Sequence, residues 1–243
     1  MALCRGVLQV PKHRYNAMCR VTIHRMDHNL AEVLRLMLVT DERLLAGRDV
    51  VEVCQAAERG GATSVQLRLK GASPAELVYQ LRRLRDALTT PVIVNDRLDV
   101  AIAGGAFGVH LGSDDLPVEL ARRMVPPGFF IGASVGSEAE VANGEGADYW
   151  GVGPYKATGT KPDAGIPLGP EGLKRIIALA GPGKVCIAIG GIEPTDVPAI
   201  LAAGATGVAV VSGVLRNTDI EAAARGFTLA LQQGSKVRQG EAE

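Results

Sequence analysis

The segment Val65–Lys70 places three polar side chains on one face of a predicted strand. In an extended chain that runs into a loop, alternation points Gln66, Arg68 and Lys70 in the same direction. Unpaired buried charge is costly, so this face must meet either an anion or acidic groups of the protein itself. Arg offers a planar fork of donors for phosphate oxygens, and Lys adds a cation. On this strand alone, anion binding and internal salt bridges are about equally good interpretations.

Carboxylates follow the next two apolar runs, where they could bind a hard cation. Asp96 comes directly after the run Val92–Asn95, and Asp114 and Asp115 follow the run Gly108–Leu111. Mg2+ commonly takes one or two carboxylates and completes its shell with waters and substrate phosphates. Taken alone, Asp96 could be a helix cap and Asp115 could belong to a surface loop. Beside the cations of the preceding strand they favour a metal–diphosphate site, and the spacing does not choose between Asp114 and Asp115.

Glycine-containing turns later in the chain are candidates for binding a second phosphate. Gly191 and Ser212 lie just after two late apolar runs, where backbone N–H groups often hold phosphate. Thr158, Thr160 and Lys161 add two hydroxyl groups and a cation in one loop. A mobile surface loop explains that segment by itself. A lone His is more often structural than catalytic, so His110 receives no role.

Eight apolar runs alternate with helix-like segments and must position these side chains. The predicted strands are Leu36–Thr40, Ser64–Leu67, Val92–Asn95, Gly108–Leu111, Phe130–Ser134, Tyr149–Gly153, Val185–Ile189 and Gly207–Val211. Such alternation indicates parallel β-α units, with helix starts marked by caps such as Ser73, Ser137 and Thr195. We predict an α/β protein built as a single (β/α)8 TIM barrel, whose site lies at the carboxyl ends of the strands. A doubly wound sheet is the alternative, but its glycine fingerprint after the first strand is missing.

Composition bounds the class of protein. The chain has 243 residues and a formal net charge of zero, so no long-range field favours nucleic acid or membrane partners. The four cysteines are scattered, which favours neither a disulfide framework nor a zinc site and indicates a reducing, cytoplasmic compartment. No apolar run reaches transmembrane length. Apolar helix faces could support a dimer, and a homo-oligomer is the default expectation for the assembly.

The ends of the chain differ from its centre. Residues 1–30 are basic and lack a continuous apolar segment, which argues against a secretory signal. We predict a disordered N-terminal extension there, with an organelle-targeting leader or an upstream start codon as alternatives. Residues 31–235 are predicted to form the barrel domain, and residues 236–243 a polar C-terminal tail.

Taken together, the motifs resemble those of the thiamine-phosphate synthase family, also called thiamine-phosphate pyrophosphorylase. They run in family order over residues 36–215. The matching segments are Leu38–Asp41, Val65–Lys70, Val94–Arg97, Gly108–Asp115, Gly151–Pro154, Thr158–Lys161, Ile189–Ile192 and Val211–Ser212.

The resemblance implies a TIM barrel that joins a pyrimidine diphosphate to a thiazole phosphate with the help of Mg2+. The substrates would be 4-amino-5-hydroxymethyl-2-methylpyrimidine diphosphate and 4-methyl-5-(2-phosphooxyethyl)thiazole. Asp96 and Asp115 would hold Mg2+, and Ser134 would contact the pyrimidine. The pyrimidine diphosphate would be held by Gln66, Arg68, Lys70, Asn95 and Lys161. The thiazole phosphate would be held by Thr158, Thr160, Gly191, Val211 and Ser212. Catalytic roles would fall to Arg68, Lys70, Ser134 and Lys161.

Several positions depart from the family pattern. Leu69 replaces a common Glu, Ser113 a common Gln, and Met37 a common aromatic residue, while Val135-Gly136 lacks the frequent Thr-His pair. These departures bear on rate and fine substrate preference. Three alternatives remain: a thiazole tautomerase, a Schiff-base aldolase using Lys70 or Lys161, and a non-catalytic thiazole-phosphate binding protein. The full diphosphate and metal set argues against the first.

Overall fold

The computed structural model describes residues 29–159 and 165–240, with side chains described as far as residue 235. Eight parallel strands pair in sequence order, and β1 pairs with β8 to close the barrel. The strands are β1 Leu36–Val39, β2 Ser64–Leu67, β3 Val92–Asn95, β4 Gly108–Leu111, β5 Phe130–Val135, β6 Tyr149–Val152, β7 Val185–Ile189 and β8 Gly207–Val210. The predicted (β/α)8 barrel is confirmed, and each strand lies within one residue of its predicted bounds.

Helices lie between the strands and cover the outside of the barrel. They are α1 Leu30–Val33, α2 Glu42–Leu45, α3 Val50–Arg59, α4 Pro74–Ala87, α5 Leu98–Gly104, α6 Val118–Met124, α7 Gly169–Leu179, α8 Val197–Ala202, α9 Ser212–Leu215 and α10 Ile220–Gly240. Two 3-10 helices span Glu138–Gly144 and Pro194–Asp196. In the described parts of the chain, no helix has both the length and the apolar character needed to cross a membrane.

The predicted helix starts had mixed outcomes. The Ser73 side chain accepts a hydrogen bond from the backbone N–H of Glu76, as expected for a cap. Ser137 precedes a 3-10 helix and makes no side-chain capping bond. The prediction for Thr195 was wrong, because Glu193 caps that turn and forms a reciprocal capping box with Asp196. The proposed extension lies outside the described residues as far as residue 28.

Two apolar layers hold the strands in place. Outward-facing strand residues pack against the helices in one large core that includes Val65, Val109 and Leu173. Inward-facing residues fill the barrel itself; they include Met37, Ile93 and Tyr149. The inner layer closes the barrel below the carboxyl ends of its strands, so the polar side chains at those ends stand on a rigid floor.

Substituting Gly207 at the start of β8 is expected to destabilise the barrel seam. An added Cβ would overlap the carbonyl oxygens of Leu34 and Arg35, which belong to the backbone and have no rotamer to escape into. We expect Gly207→Ala to lower the free energy of unfolding by about 2–3 kcal/mol, the usual cost of overpacking. The urea midpoint at constant m-value measures this loss.

Gly226 provides the matched control for that substitution. It lies inside α10, and the nearest atom to its added Cβ is Pro194 Cγ at 3.7 Å, an ordinary contact. Gly226→Ala is therefore expected to stabilise the protein by up to about 1 kcal/mol, because Ala is the better helix former. If Gly207→Ala were as stable as the parent protein, the backbone of Leu34 and Arg35 would have to move away from β8 at little cost in free energy.

Candidate active site

A pocket of about 910 Å3 opens at the carboxyl ends of the strands. Every predicted site residue that the structure describes lines it; these are Gln66, Arg68, Lys70, Asn95, Asp96, Asp115, Ser134, Thr158, Gly191, Val211 and Ser212. Thr160 and Lys161 lie outside the described residues. The volume is at the upper end for small-molecule sites, which leaves space for two small substrates.

Arg68 both lines the pocket and forms an internal ion pair. Its Nη1 lies 2.8 Å from Asp41 Oδ2, and the Asp41 side chain is only 2% exposed. Asp41 also accepts hydrogen bonds from the backbone N–H groups of Arg43 and Leu44 at the start of α2. The Thr40 hydroxyl accepts from the backbone N–H of Arg68 at 2.8 Å. Arg68 therefore forms the internal salt bridge that was one interpretation of this strand, and it also lines the pocket where an anion could bind.

Lys70 stands on a loop that the preceding β-α connection holds in place. The carboxylate of Glu42 accepts hydrogen bonds from the backbone N–H groups of Lys70 and Gly71. The Lys70 side chain is 52% exposed, and its ammonium nitrogen lies 3.9 Å from Asp96 Oδ2. Its backbone is fixed while its charged end stays in the open pocket, which suits an anion that must enter and leave.

Asp96 and Asp115 form the acidic part of the pocket. Burial, and next the neighbouring charge of Asp115, raise the pKa of Asp96 from an ordinary 3.8 to about 6. Asp115 Oδ2 accepts a 2.6 Å hydrogen bond from the backbone N–H of Gly112, which fixes that carboxylate. Two facing carboxylates that repel each other are a hard-oxygen donor pair, and these residues fit a Mg2+ ion. Among the described residues, no group of three or more His, Cys, Asp or Glu forms a metal cluster.

The glycines after β7 let the loop after β6 approach closely. Gly190 and Gly191 have φ of 100° and 64°, and a Cβ on Gly190 would lie 2.8 Å from Pro154 Cα. The backbone N–H of Lys156 donates to the carbonyl of Gly190 at 2.9 Å, and Lys156 Nζ lies 2.7 Å from Asp196 Oδ2. The loop that leads to Thr158 thus packs directly against the two glycines.

His110 has partners on two neighbouring strands. Its Nε2 lies 3.0 Å from Ser134 Oγ, and its Nδ1 lies 3.1 Å from Tyr149 Oη. It also lines the pocket, although it received no role from the sequence. The useful signal was the pair Gly132 and Gly151 on β5 and β6: strand glycines often mark close approach by another group, here the rings of Tyr149 and His110.

Gly136 departs from the family pattern, which often has His at this position, and the structure gives a reason. A Cβ at this position would come within 2.5 Å of the carbonyl oxygen of Gly153 and 3.3 Å of Glu140 Oε2. Its backbone N–H donates to Glu140 Oε2 at 2.6 Å. The ends of β5 and β6 therefore lie too close here for the His that is frequent at this position.

A family model described as thiamine monophosphate synthase matches residues 36–214. The chain belongs to the thiamine monophosphate synthase family. The matched span contains the whole barrel from β1 to β8, and it confirms the resemblance given by the motifs.

Similar proteins from distant organisms agree with this family. A thiamine-phosphate synthase of Methanoculleus marisnigri is 49% identical over 195 residues, which are 78% of this chain and 92% of that protein. One from Xanthobacter autotrophicus is 46% identical and covers 82% of this chain and 95% of its own. The solved thiamine phosphate pyrophosphorylase of Pyrococcus furiosus superposes with a TM-score of 0.74 at 36% identity, covering 85% of this chain and 99% of its own.

Proposed function

We propose that this chain is a thiamine-phosphate synthase that condenses 4-amino-5-hydroxymethyl-2-methylpyrimidine diphosphate with 4-methyl-5-(2-phosphooxyethyl)thiazole. The products are thiamine phosphate and diphosphate. The observation that supports this most is the arrangement of charged and polar groups within one pocket. Arg68 and Lys70 stand beside the carboxylates Asp96 and Asp115, while the glycine and hydroxyl groups line the side formed by β6 to β8.

The reaction breaks one C–O bond and forms one C–N bond. The bonding electrons leave with the diphosphate, and the 4-aminopyrimidine spreads the positive charge left on its methylene carbon. The thiazole nitrogen then supplies its lone pair to that carbon and becomes part of a thiazolium ring. No proton has to be removed from the nucleophile, so the chemistry needs no general base.

The cations of the pocket serve the departing diphosphate. Arg68, held by Asp41, and Lys70 are placed to neutralise charge that grows as the C–O bond breaks, and Lys161 joins them by family resemblance. Asp96 and Asp115 would hold Mg2+, which supplies further positive charge to the leaving group when bound. Gln66 and Asn95 hold the same substrate, and Ser134 contacts its pyrimidine ring.

The opposite side of the pocket positions the nucleophile. Thr158, Thr160, Gly191, Val211 and Ser212 would bind the thiazole phosphate. Anchoring this phosphate holds the thiazole nitrogen near the reacting carbon, and such proximity supplies a large share of the rate. The scattered cysteines, of which Cys54 and Cys186 are buried and free, support work in the reducing cytoplasm.

The test mixes purified protein with both substrates and Mg2+ and oxidises the products to fluorescent thiochrome phosphate. We expect product that EDTA and Asp96→Ala both abolish. Asp99→Ala is the matched control, because the Asp99 side chain lies in the first turn of α5, is 64% exposed and pairs with Arg97. Absence of product, with thiazole phosphate still bound, would contradict the proposal and leave a tautomerase or a binding protein.

A further inference from the structure

Three polar side chains form a continuous hydrogen-bonded series from the inside of the barrel to the pocket. Tyr149 Oη lies 3.1 Å from His110 Nδ1, and His110 Nε2 lies 3.0 Å from Ser134 Oγ. His110 and Tyr149 are 8% and 0% exposed, and Ser134 ends the series at the pocket.

The barrel is built around this series. A Cβ on Gly132 would overlap the Tyr149 ring, and a Cβ on Gly151 would lie 2.9 Å from His110 Cε1. Gly132 lies opposite both His110 and Tyr149 in the strand register. Two glycines on neighbouring strands thus provide the space in which both rings stand, and the packing fixes the ring positions.

The hydrogen bonds of the series have a direction. Burial raises the pKa of Tyr149, so the phenol keeps its proton. A phenolic O–H is a good donor and a neutral imidazole nitrogen a good acceptor, and His110 Nδ1 lies 3.1 Å from Tyr149 Oη. The single hydroxyl hydrogen of Tyr149 then goes to His110 Nδ1, and a neutral imidazole with Nδ1 as acceptor carries its proton on Nε2.

We propose that His110 and Tyr149 are positioning residues that orient the Ser134 hydroxyl as a hydrogen-bond donor toward a ring nitrogen of the bound pyrimidine. Because His110 Nε2–H donates to Ser134 Oγ, the hydroxyl hydrogen of Ser134 is left to point into the pocket. The proposal rests on the proposed function. A donor that is already oriented needs no rearrangement when charge develops on the ring, and the series moves no proton.

The tautomer of His110 gives the first test and requires no turnover. The chain has four histidines, so the His110 nitrogen signals are assigned by comparing 15N spectra of the parent protein and His110→Gln. We expect a protonated Nε2 and an unprotonated Nδ1. The opposite tautomer would mean that Ser134 donates to His110, and it would overturn the proposal even if the enzyme is a synthase.

A double-mutant cycle gives the second test. Tyr149→Phe removes the hydroxyl and keeps the ring, and we expect kcat to fall about tenfold with an unchanged KM for the thiazole phosphate. In a Ser134→Ala background the same substitution should cost nothing further, because it acts through Ser134. An equal loss in both backgrounds would show a merely structural role and overturn the proposal.

A second pair of variants covers the case in which Tyr149→Phe does not fold. His110→Gln keeps an amide that can reach Ser134, so we expect it to retain more activity than His110→Ala; equal activities would contradict the proposal. If the parent protein forms no thiamine phosphate, the proposed function fails instead. The tautomer measurement then still decides the direction of the series.

Discussion

Asp96→Asn is expected to make the metal-free protein more stable while it removes the activity. Asn keeps the shape of the side chain and tolerates the left-handed backbone at this position, where φ is 63°. It loses the charge that faces Asp115. Activity should fall about 10³-fold, because a metal ion on a departing phosphate group is worth several kcal/mol.

The sign of the stability change follows from the pKa of Asp96. Burial, and next the charge of Asp115, raise it from 3.8 to about 6, so the folded state binds this proton more tightly than the unfolded state. Below pH 3.8, Asp96 is protonated in both states and its burial does not reduce stability. Stability is lost as the pH rises through about 6, where the buried carboxyl group must ionise. A shift of this size corresponds to about 3 kcal/mol, and partial exposure reduces it to about 1–2 kcal/mol at neutral pH.

Urea denaturation in EDTA from pH 4 to pH 7.5 measures the effect. The parent protein should lose stability across the lower part of this range relative to Asp96→Asn, and the two should converge near pH 4. Adding Mg2+ should stabilise the parent protein more than the variant, because a ligand stabilises the state that binds it. Asp99→Asn is the control, and a stability gain of equal size there would contradict the argument.

The fold could be predicted from the sequence because its signals are local. Each strand is a short apolar run after a turn, and Gly105-Ala106 or Gly204-Ala205 mark where a helix gives way to the next strand. The four-residue helices α1, α2 and α9 were missed, because one helical turn is too short to show a period. Thr195 was a wrong cap because Glu193 and Asp196 form a reciprocal pair there.

The candidate site was predictable as a set of residues but not as a network. Strand ends of a parallel barrel share one edge, so tallying polar residues at those ends was enough to collect them. Asp41 and Arg68 are separated by 27 positions, and His110 and Tyr149 by 39. Neither spacing carries a sequence signal, since only the strand register brings these pairs together. The sequence alone therefore could not show that Arg68 pairs with Asp41.

Arg68→Met is expected to cost both stability and activity, and a second substitution should recover only the stability. The variant removes the cation 2.8 Å from the buried Asp41 carboxylate and leaves the more distant and exposed Arg43, whose Nε lies 3.8 Å from Asp41 Oδ1, so the free energy of unfolding should fall by about 3 kcal/mol. Activity should fall about 10²- to 10³-fold, because one donor to the growing charge of the diphosphate is lost.

Asp41→Asn in the Arg68→Met background separates the two effects. Asn removes the buried negative charge that has lost its close partner, and its amide oxygen can still accept the backbone hydrogen bonds of Arg43 and Leu44. We expect the double variant to regain ~1–2 kcal/mol relative to Arg68→Met, with no gain in kcat because the cation is still missing. Urea midpoints and thiochrome rates measured on the same samples provide the comparison. If activity returns together with stability, Arg68 supports the fold alone and Lys70 is the cation that meets the diphosphate.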